Sequence, residues 1–208
     1  MNLSPLYAII DADILQQRGV RLRKFAVGLR AAGVTLIQYR NKTGAPQDIL
    51  AAAACLREVF VGLDCQFILN DRPDLAVLAN FHGVHVGQTD LSPEDARRVI
   101  GPDRIVGIST HTDDQVRAAN LTSANYIAIG PIFPTTSKEN PDPVVGLEGL
   151  HRARTLTTKP LVAIGGITRA NAPSVIEAGA NSVAVISSLF AEGESVQHVA
   201  QDFLTLLG

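Results

Sequence analysis

The sequence has few cysteines and no long run of apolar residues. Its 208 residues include two cysteines, Cys55 in a predicted helix and Cys65 at the edge of a predicted strand. This placement favours two buried free thiols, with a disulfide between them as the alternative. No stretch reaches the ~20 apolar residues of a membrane-spanning helix. The N-terminus also lacks the basic and apolar segments of a signal peptide, so we expect a cytoplasmic protein.

A strong charge of either sign is also missing. The formal net charge is −2, and no basic run stands out. We therefore expect neither nucleic acid nor a membrane as a partner. An anionic ligand would have to be met by a few local cations or by a metal. Because 46% of the residues are hydrophobic and 18% are charged, the composition argues against disorder.

Eight short, nearly continuous apolar runs recur along the chain, a pattern typical of strands buried on both faces. They lie at 6–11, 35–40, 66–70, 83–87, 105–110, 126–130, 160–166 and 182–187. Helical stretches lie between them, at 20–32, 46–60, 92–99, 112–120, 169–178 and 189–207, with shorter candidates after Asp71 and Gly146. These units predict one (βα)8 TIM barrel spanning residues 1–208. An open doubly wound sheet is disfavoured because no Gly-x-Gly-x-x-Gly motif follows the first strand.

The residues at the carboxyl ends of the predicted strands form the candidate active site, because barrel enzymes place their sites there. They are cations, hydroxyls, amides, glycines and two carboxylates. In strand order they are Gln38, Arg40 and Lys42; Asn70 and Asp71; Gln88 and Asp90; Ser109, Thr110 and His111; Thr135, Thr136, Ser137 and Lys138; Gly165 and Gly166; and Ile186, Ser187 and Ser188. A cysteine nucleophile and a facing carboxylate pair for glycoside chemistry are missing.

Phosphate binding is predicted at two places among these strand ends. Gly165-Gly166 and the Ser187-Ser188 opening of the last helix favour a phosphate site, with a simple tight turn as the alternative for the glycines. Arg40 and Lys42 alternate with their neighbours in sequence and should point the same way. Two such cations suit a diphosphate. A solvated pair at the rim is the alternative.

Asp71 and Asp90 end adjacent predicted strands. Two carboxylates, with waters and a substrate phosphate, suit Mg²⁺. The alternative is that each carboxylate caps the helix that follows it. The long polar loop at 131–143 is expected to act as a lid, with a mobile surface loop as the alternative.

The five histidines are weaker signals. His85, within the fourth strand, is expected to be a core residue with satisfied hydrogen bonds. His111 ends the fifth strand and could be catalytic or could cap the next helix. The others have no metal-ligand spacing, and none of the five is predicted to bind a metal.

Seven segments, in order along residues 6–190, resemble the thiamine phosphate synthase family. They are GVTLIQYRNK (33–42), ILNDRPDLA (68–76), GVHVGQTDL (83–91), VGISTH (106–111), YIAIGPIFPTTSK (126–138), VAIGGI (162–167) and VAVISS (183–188). The resemblance implies a transferase that joins a hydroxymethylpyrimidine diphosphate to a thiazole phosphate, or to its carboxylated form. Diphosphate is released. The partners would be these small molecules, and a homo-oligomer is possible.

The resemblance also implies a role for each matching residue. The pyrimidine diphosphate is assigned to Gln38, Arg40, Lys42 and Asn70, with Ser109 on the pyrimidine ring. The thiazole phosphate is assigned to Thr135, Ser137, Gly166, Ile186 and Ser187. Tyr39, Asn41 and Thr136 complete the substrate-binding set, Lys138 reaches the diphosphate, and Asp71 and Asp90 hold Mg²⁺. The catalytic set is Arg40, Lys42, Ser109 and Lys138.

The implied mechanism ionises the pyrimidine C–O bond before the thiazole nitrogen attacks, which requires positioning and leaving-group stabilisation. Two positions depart from the family pattern. Asn41 replaces an acid of Gln-x-Arg-Glu-Lys, and Ser137 replaces a threonine. If the missing acid orients Arg40, affinity for the diphosphate would change. Two alternatives stay open: a thiazole tautomerase that uses His111, and a non-catalytic thiazole phosphate sensor that contacts a partner protein.

Overall fold

The computed structural model describes residues 3–135 and 142–208. Within these ranges, eight parallel strands close into a barrel in chain order. The strands are β1 Leu6–Asp11, β2 Leu36–Arg40, β3 Gln66–Asn70, β4 Gly83–Val86, β5 Ile105–Thr110, β6 Tyr126–Ile129, β7 Leu161–Ile164 and β8 Ser182–Val185. Leu6 of β1 lies opposite Val183 of β8, which closes the ring. The predicted TIM barrel is confirmed, and the open doubly wound sheet is wrong.

Helices surround the barrel. They are α1 Ala12–Gln17, α2 Leu22–Ala32, α3 Pro46–Val59, α4 Pro73–Leu78, α5 Pro93–Ile100, α6 Asp113–Asn120, α7 Gly146–Leu156, α8 Ala172–Glu177 and α9 Val196–Leu207. The short helix α1 was not predicted. Asp11 begins it, because the Asp11 carboxylate accepts a hydrogen bond from the Ile14 N–H at 3.0 Å.

The last helix starts later than the sequence pattern suggests. The prediction that it opens at Ser187-Ser188 is wrong, since these residues form only the 3₁₀ turn Ser187–Leu189. Gly193 then adopts a left-handed φ of 75°, which interrupts any helix. The α-helix begins only after Ser195, whose hydroxyl accepts from the His198 N–H.

The apolar core has two layers, which explains the nearly continuous apolar strands. Inside the barrel, Tyr7, Leu36, Ile68, Tyr126 and Val162 pack against one another. A larger layer fills the space between the strands and the helices and includes Ile10, Ile37, Leu69, Phe25 and Phe203. Each strand therefore buries both of its faces, as expected for a parallel sheet covered by helices.

Both cysteines are free thiols, as predicted, so the disulfide alternative is wrong. Cys65 is buried as predicted, whereas Cys55 is only half-buried, so the predicted burial is wrong for Cys55. Burial raises the pKa of the Cys65 thiol to about 12, which leaves it unreactive at neutral pH. Among the helices of the described residues, we find none that is both long and apolar enough to cross a membrane.

Candidate active site

A cavity of about 390 Å³ opens at the carboxyl ends of the strands. All eight strands or their following loops line it, and its size is that of a small-molecule site. It brings together most of the predicted site residues: Gln38, Arg40, Lys42, Asn70, Asp71, Asp90, Ser109, Thr135, Gly166, Ile186 and Ser187. Residues that are well over one hundred positions apart in the sequence therefore line the same cavity.

Five of the predicted site residues are not among the described residues that line the cavity. Tyr39 points to the outer face of β2 and is buried in the layer between strands and helices. Asn41 turns toward its own loop, where its side-chain oxygen accepts from the Gly44 N–H at 2.8 Å. Thr136, Ser137 and Lys138 lie outside the described residues, as does the middle of the predicted lid at 136–141.

Arg40 and Lys42 both line the cavity, and each faces a carboxylate. Arg40 donates to Asp11, whose side chain is only 4% exposed. The Lys42 ammonium lies 3.4 Å from an Asp71 carboxylate oxygen. Asp11 was missed in the sequence, although its place at the end of β1 was a usable signal. It supplies an acid beside Arg40 even though Asn41 replaces the acid of the family pattern.

Asp71 and Asp90 also line the cavity and place two neighbouring carboxyl groups there. Asp71 adopts a left-handed φ of 63°, which is uncommon for a residue other than glycine. Burial raises the pKa of Asp71, the neighbouring Asp90 carboxyl raises it further, and Lys42 opposes the shift. Asp90 accepts a hydrogen bond from the Gly87 N–H at 2.8 Å.

Neither carboxylate caps a helix, so that alternative is wrong. Helix α4 follows Arg72 and has no side-chain cap. Helix α5 is capped by Ser92, whose hydroxyl accepts from the Asp95 N–H. Asp71 and Asp90 are thus held in the cavity without serving as helix caps.

Gly165 and Gly166 make a tight turn against the loop that follows β6. Both have left-handed φ angles, 99° and 65°. A Cβ on Gly166 would lie 2.5 Å from the Pro134 carbonyl oxygen and 2.7 Å from the Phe133 Cβ. Ser188 donates to the Ile167 carbonyl oxygen at 2.5 Å, which ties the β8 end to this turn. The turn is therefore required here for close backbone packing.

A chain of polar side chains crosses the barrel at the floor of the cavity, where all but Tyr126 are lining residues. Gln38 donates to the Tyr7 hydroxyl at 2.8 Å, and Tyr7 and Tyr126 are joined at 2.9 Å. The Tyr126 hydroxyl lies 2.8 Å from His85 Nδ1, and His85 Nε2 lies 2.8 Å from the Ser109 hydroxyl. The prediction that His85 is a satisfied core residue is confirmed. Tyr7 and Tyr126 were not among the predicted site residues.

His111 lies at the cavity wall. Its Nδ1 is 2.6 Å from the Gly130 carbonyl oxygen, and its Nε2 is 3.4 Å from an Asp142 carboxylate oxygen. Helix α6 is capped by Thr112 instead, so the alternative that His111 caps this helix is wrong.

A surface cluster of Glu194, His198 and Asp202 has side-chain ligand atoms within 4.8 Å of one another. Arg169 already pairs with two of them, donating to Glu194 at 2.6 Å and to Asp202 at 2.5 Å. This cluster is consequently a network of ion pairs, separate from the cavity.

A parallel barrel whose strand ends gather two cations, two carboxylates and a glycine turn defines an enzyme class that acts on phosphorylated small molecules. A sequence model of the thiamine monophosphate synthase family matches residues 6–189, and the chain belongs to that family. The resemblance seen in the motifs is confirmed, and with it the prediction of a transferase in thiamine biosynthesis.

Individual relatives agree with this assignment. The chain is 53% identical over 209 residues to a thiamine-phosphate synthase of Koribacter versatilis, covering 100% of this chain and 97% of the relative. A thiamine-phosphate synthase of Methanoculleus marisnigri is 40% identical over 189 residues, or 91% of this chain and 89% of the relative. The solved structure of a thiamine phosphate pyrophosphorylase from Pyrococcus furiosus superposes with a TM-score of 0.85 at 28% identity, covering 98% of this chain and 96% of that one.

Proposed function

We propose that the chain condenses 4-amino-2-methyl-5-hydroxymethylpyrimidine diphosphate with 4-methyl-5-(2-phosphooxyethyl)thiazole, with the assistance of Mg²⁺. The products are thiamine phosphate and diphosphate. The observation that carries the proposal is the convergence of Arg40, Lys42, Asp71 and Asp90 on one side of a single cavity, with the Gly165-Gly166 turn on the other.

The order of the strands supports this division of the cavity. In a ring of eight strands, β3 lies opposite β7. The cations and carboxylates follow β2, β3 and β4, whereas the glycine turn follows β7. The pyrimidine diphosphate would occupy the first side and the thiazole phosphate the second. The two rings would then meet between them, where Ser109 of β5 faces the cavity.

Asp71 and Asp90 fit Mg²⁺ by the chemistry of their side chains. Mg²⁺ is usually bound by one or two carboxylates together with waters and substrate phosphates. The raised pKa of Asp71 reflects a carboxylate that is half-buried beside a second one, an arrangement that a divalent cation would favour. When bound, Mg²⁺ would supply positive charge that stabilises the departing diphosphate.

The protein groups would act mainly by holding the leaving group. Arg40 and Lys42 would bind diphosphate oxygens, with Asp11 orienting Arg40. The C–O bond breaks and its electron pair leaves with the diphosphate. The thiazole nitrogen lone pair then forms the new C–N bond. Each preorganised electrostatic contact of this kind is worth about 3 kcal/mol of the barrier.

The apolar wall of the cavity would protect the cation formed by this ionisation. Ile9, Val162, Ile164 and Ala184 line the cavity and contribute no polar side-chain group. Water that reached the cation would convert it to the alcohol instead of thiamine phosphate. Excluding water also strengthens the interactions between charged groups.

The turn at Gly166 offers a test of the thiazole phosphate side. We expect Gly166→Ala to raise KM for the thiazole phosphate and to lose about 1–3 kcal/mol more stability than Gly193→Ala, because only the first clashes with its surroundings. Gly193 has a similar φ of 75°, and a Cβ there meets no heavy atom of the described residues within 4 Å. Steady-state kinetics and thermal unfolding of both variants measure the difference. Equal stability and equal KM would contradict the expected role of the turn.

A thiazole tautomerase and a non-catalytic thiazole phosphate sensor are the two alternative functions that an activity assay must distinguish. A thiazole tautomerase would use His111, but both ring nitrogens of His111 face oxygen acceptors in the structure. A sensor would bind the thiazole phosphate without turnover. Neither of these functions requires the diphosphate-facing cations.

One assay separates the three functions. The purified protein is mixed with both phosphorylated substrates, with Mg²⁺ or with a chelator. We expect thiamine phosphate and diphosphate only when Mg²⁺ is present. Folded protein that makes no product would refute the proposal. Isomerisation of the thiazole would then indicate the tautomerase, and binding without turnover would indicate the sensor.

A further inference from the structure

The hydrogen-bond chain Gln38–Tyr7–Tyr126–His85–Ser109 joins the diphosphate side of the cavity to the place proposed for the pyrimidine ring. The four side chains from Gln38 to His85 are buried, and Ser109 is partly exposed at the cavity surface. Each of the four contacts measures 2.8–2.9 Å, so each is a hydrogen bond of ordinary length. The barrel thus contains a continuous polar path through its apolar interior.

Gln38, the first residue of the hydrogen-bond chain, sets the direction in which the later hydrogen bonds are donated. The Gln38 contact uses its amide nitrogen, which can only donate, so the Tyr7 oxygen accepts there. Of the two directions open to the Tyr7–Tyr126 contact, only donation from Tyr7 to Tyr126 leaves neither buried tyrosine hydrogen without an acceptor. Tyr126 in turn gives its hydrogen to His85 Nδ1, which must accept. The other ring nitrogen, Nε2, then carries the hydrogen and donates to Ser109.

Both phenols keep the hydrogens that this order requires. Tyr7 and Tyr126 are buried in the apolar interior, and burial raises the pKa of each hydroxyl above its ordinary value. The two rings also contact edge to face, which fixes their orientation. The direction of the chain is therefore not interrupted by ionisation of either tyrosine.

We propose that this chain holds His85 as the Nε2–H tautomer and thereby makes the Ser109 hydroxyl a donor toward the pyrimidine ring. Because the Ser109 oxygen accepts from His85, its own hydrogen remains for a ligand. Gln38, Tyr7, Tyr126 and His85 are then positioning residues that select a ligand with an acceptor nitrogen at this point. The ring nitrogens of an aminopyrimidine provide such acceptors. The identity of the ligand rests on the proposed function, but the direction of the chain does not.

If the hydrogen bonds were donated in the opposite direction, Ser109 would be an acceptor toward the ligand instead of a donor. If His85 carried its hydrogen on Nδ1, its Nε2 would accept from Ser109 and the serine hydrogen would be occupied. Ser109 could then only accept from a ligand, and the exocyclic amino group would be favoured over a ring nitrogen. The tautomer of His85 thus decides which edge of the ring Ser109 recognises.

Nitrogen NMR of histidine in the ligand-free protein tests the direction. With ¹⁵N-labelled histidine, the two-bond proton correlations distinguish the tautomers, and we expect Nε2–H for His85. A His85→Gln sample assigns the signal. The Nδ1–H tautomer, or hydrogens on both nitrogens, would overturn the proposal.

A reversal variant tests whether Gln38 sets the direction. In Gln38→Glu the carboxylate accepts from Tyr7, so every later hydrogen bond should turn round and His85 should become the Nδ1–H tautomer. Gln115→Glu is the matched control, because Gln115 lines the cavity but contacts His111 rather than this chain. We expect the control to keep the Nε2–H tautomer. An unchanged tautomer in folded Gln38→Glu would overturn the role given to Gln38.

Kinetics of Tyr126→Phe test the consequence for the ligand. Loss of this hydroxyl should lower kcat/KM for the pyrimidine diphosphate about tenfold, a typical effect of losing one buried hydrogen-bonding partner. Binding of inorganic diphosphate with Mg²⁺ should be unchanged, since Tyr126 is fully buried beneath the cavity surface. If kcat/KM for the pyrimidine diphosphate and the binding of inorganic diphosphate both fell by a similar factor, Tyr126 would have a general structural role and the proposal would be overturned. If the wild-type protein makes no thiamine phosphate, the proposed function fails while the tautomer measurement still decides the direction.

Discussion

Asp71→Asn is expected to lower turnover about 100-fold, the order of effect that follows when a preorganised charged contact is removed. Asparagine keeps the size of the side chain and tolerates the left-handed φ of 63° at this position. The variant also removes one of two adjacent carboxylates whose proximity raises the pKa of Asp71. We therefore expect the free protein to keep or slightly raise its thermal stability while activity falls. Steady-state kinetics and a thermal unfolding curve on the same sample measure both.

The control for this variant is Asp74→Asn. Asp74 is 53% exposed and pairs with Arg72, so its replacement should leave turnover unchanged. Raising the Mg²⁺ concentration should restore part of the activity of Asp71→Asn, because a weakened site fills at higher metal concentration. Near-normal turnover of Asp71→Asn at low Mg²⁺ would show that the metal is not held by this residue.

Arg40→Met is expected to have the second large effect, on both activity and stability. Turnover should fall about 100-fold because the diphosphate loses a cation. The Asp11 carboxylate, only 4% exposed, loses its partner, which costs about 3 kcal/mol when a buried ion pair is broken from one side. For a chain of this length we expect Tm to fall by about 6–12 °C. Arg23→Met, which breaks the exposed pair with Glu58, is the matched control and should change little.

A double variant separates the two effects of Arg40. Asp11→Asn combined with Arg40→Met removes both charges, so much of the lost stability should return. Activity should stay low, since the cation for the diphosphate is still missing. Recovery of activity together with stability would mean that Arg40 acts only through folding.

The barrel could be predicted from sequence because each strand is buried on both faces and reads as a short apolar run. The strands β1, β3 and β5 have the predicted bounds, and the others differ only at their ends. The start of α9 could not be predicted as well. Its apolar residues suggest a helix from 189, but the backbone of Gly193 and the cap at Ser195 delay it.

The candidate site could be predicted where a residue lies at the end of a strand or next to it. Arg40, Asp71 and Ser109 were found in this way, and all three line the cavity. The pairings of these residues could not be predicted, because they depend on which side chains nearby strands bring together, although Asp11 itself ends β1. Asp11 reaches Arg40 from the neighbouring strand. Tyr126 reaches His85 from two strands away.

Asn41 shows how the structure changes an expectation drawn from a motif. The sequence departs from the family pattern here, which suggested that Arg40 loses an orienting acid. In the structure the Asn41 side chain bonds to its own loop, and Arg40 pairs with Asp11. The orientation of Arg40 therefore does not depend on position 41.

Calorimetric titration of inorganic diphosphate tests most directly the claim that β2, β3 and β4 form a joint site for Mg²⁺ and diphosphate. The account predicts clear binding to the wild-type protein in Mg²⁺, little binding in a chelator, and affinities reduced about tenfold or more in Asp71→Asn and Arg40→Met. Diphosphate that binds equally well with and without Mg²⁺, or equally well to the wild type and both variants, would contradict it.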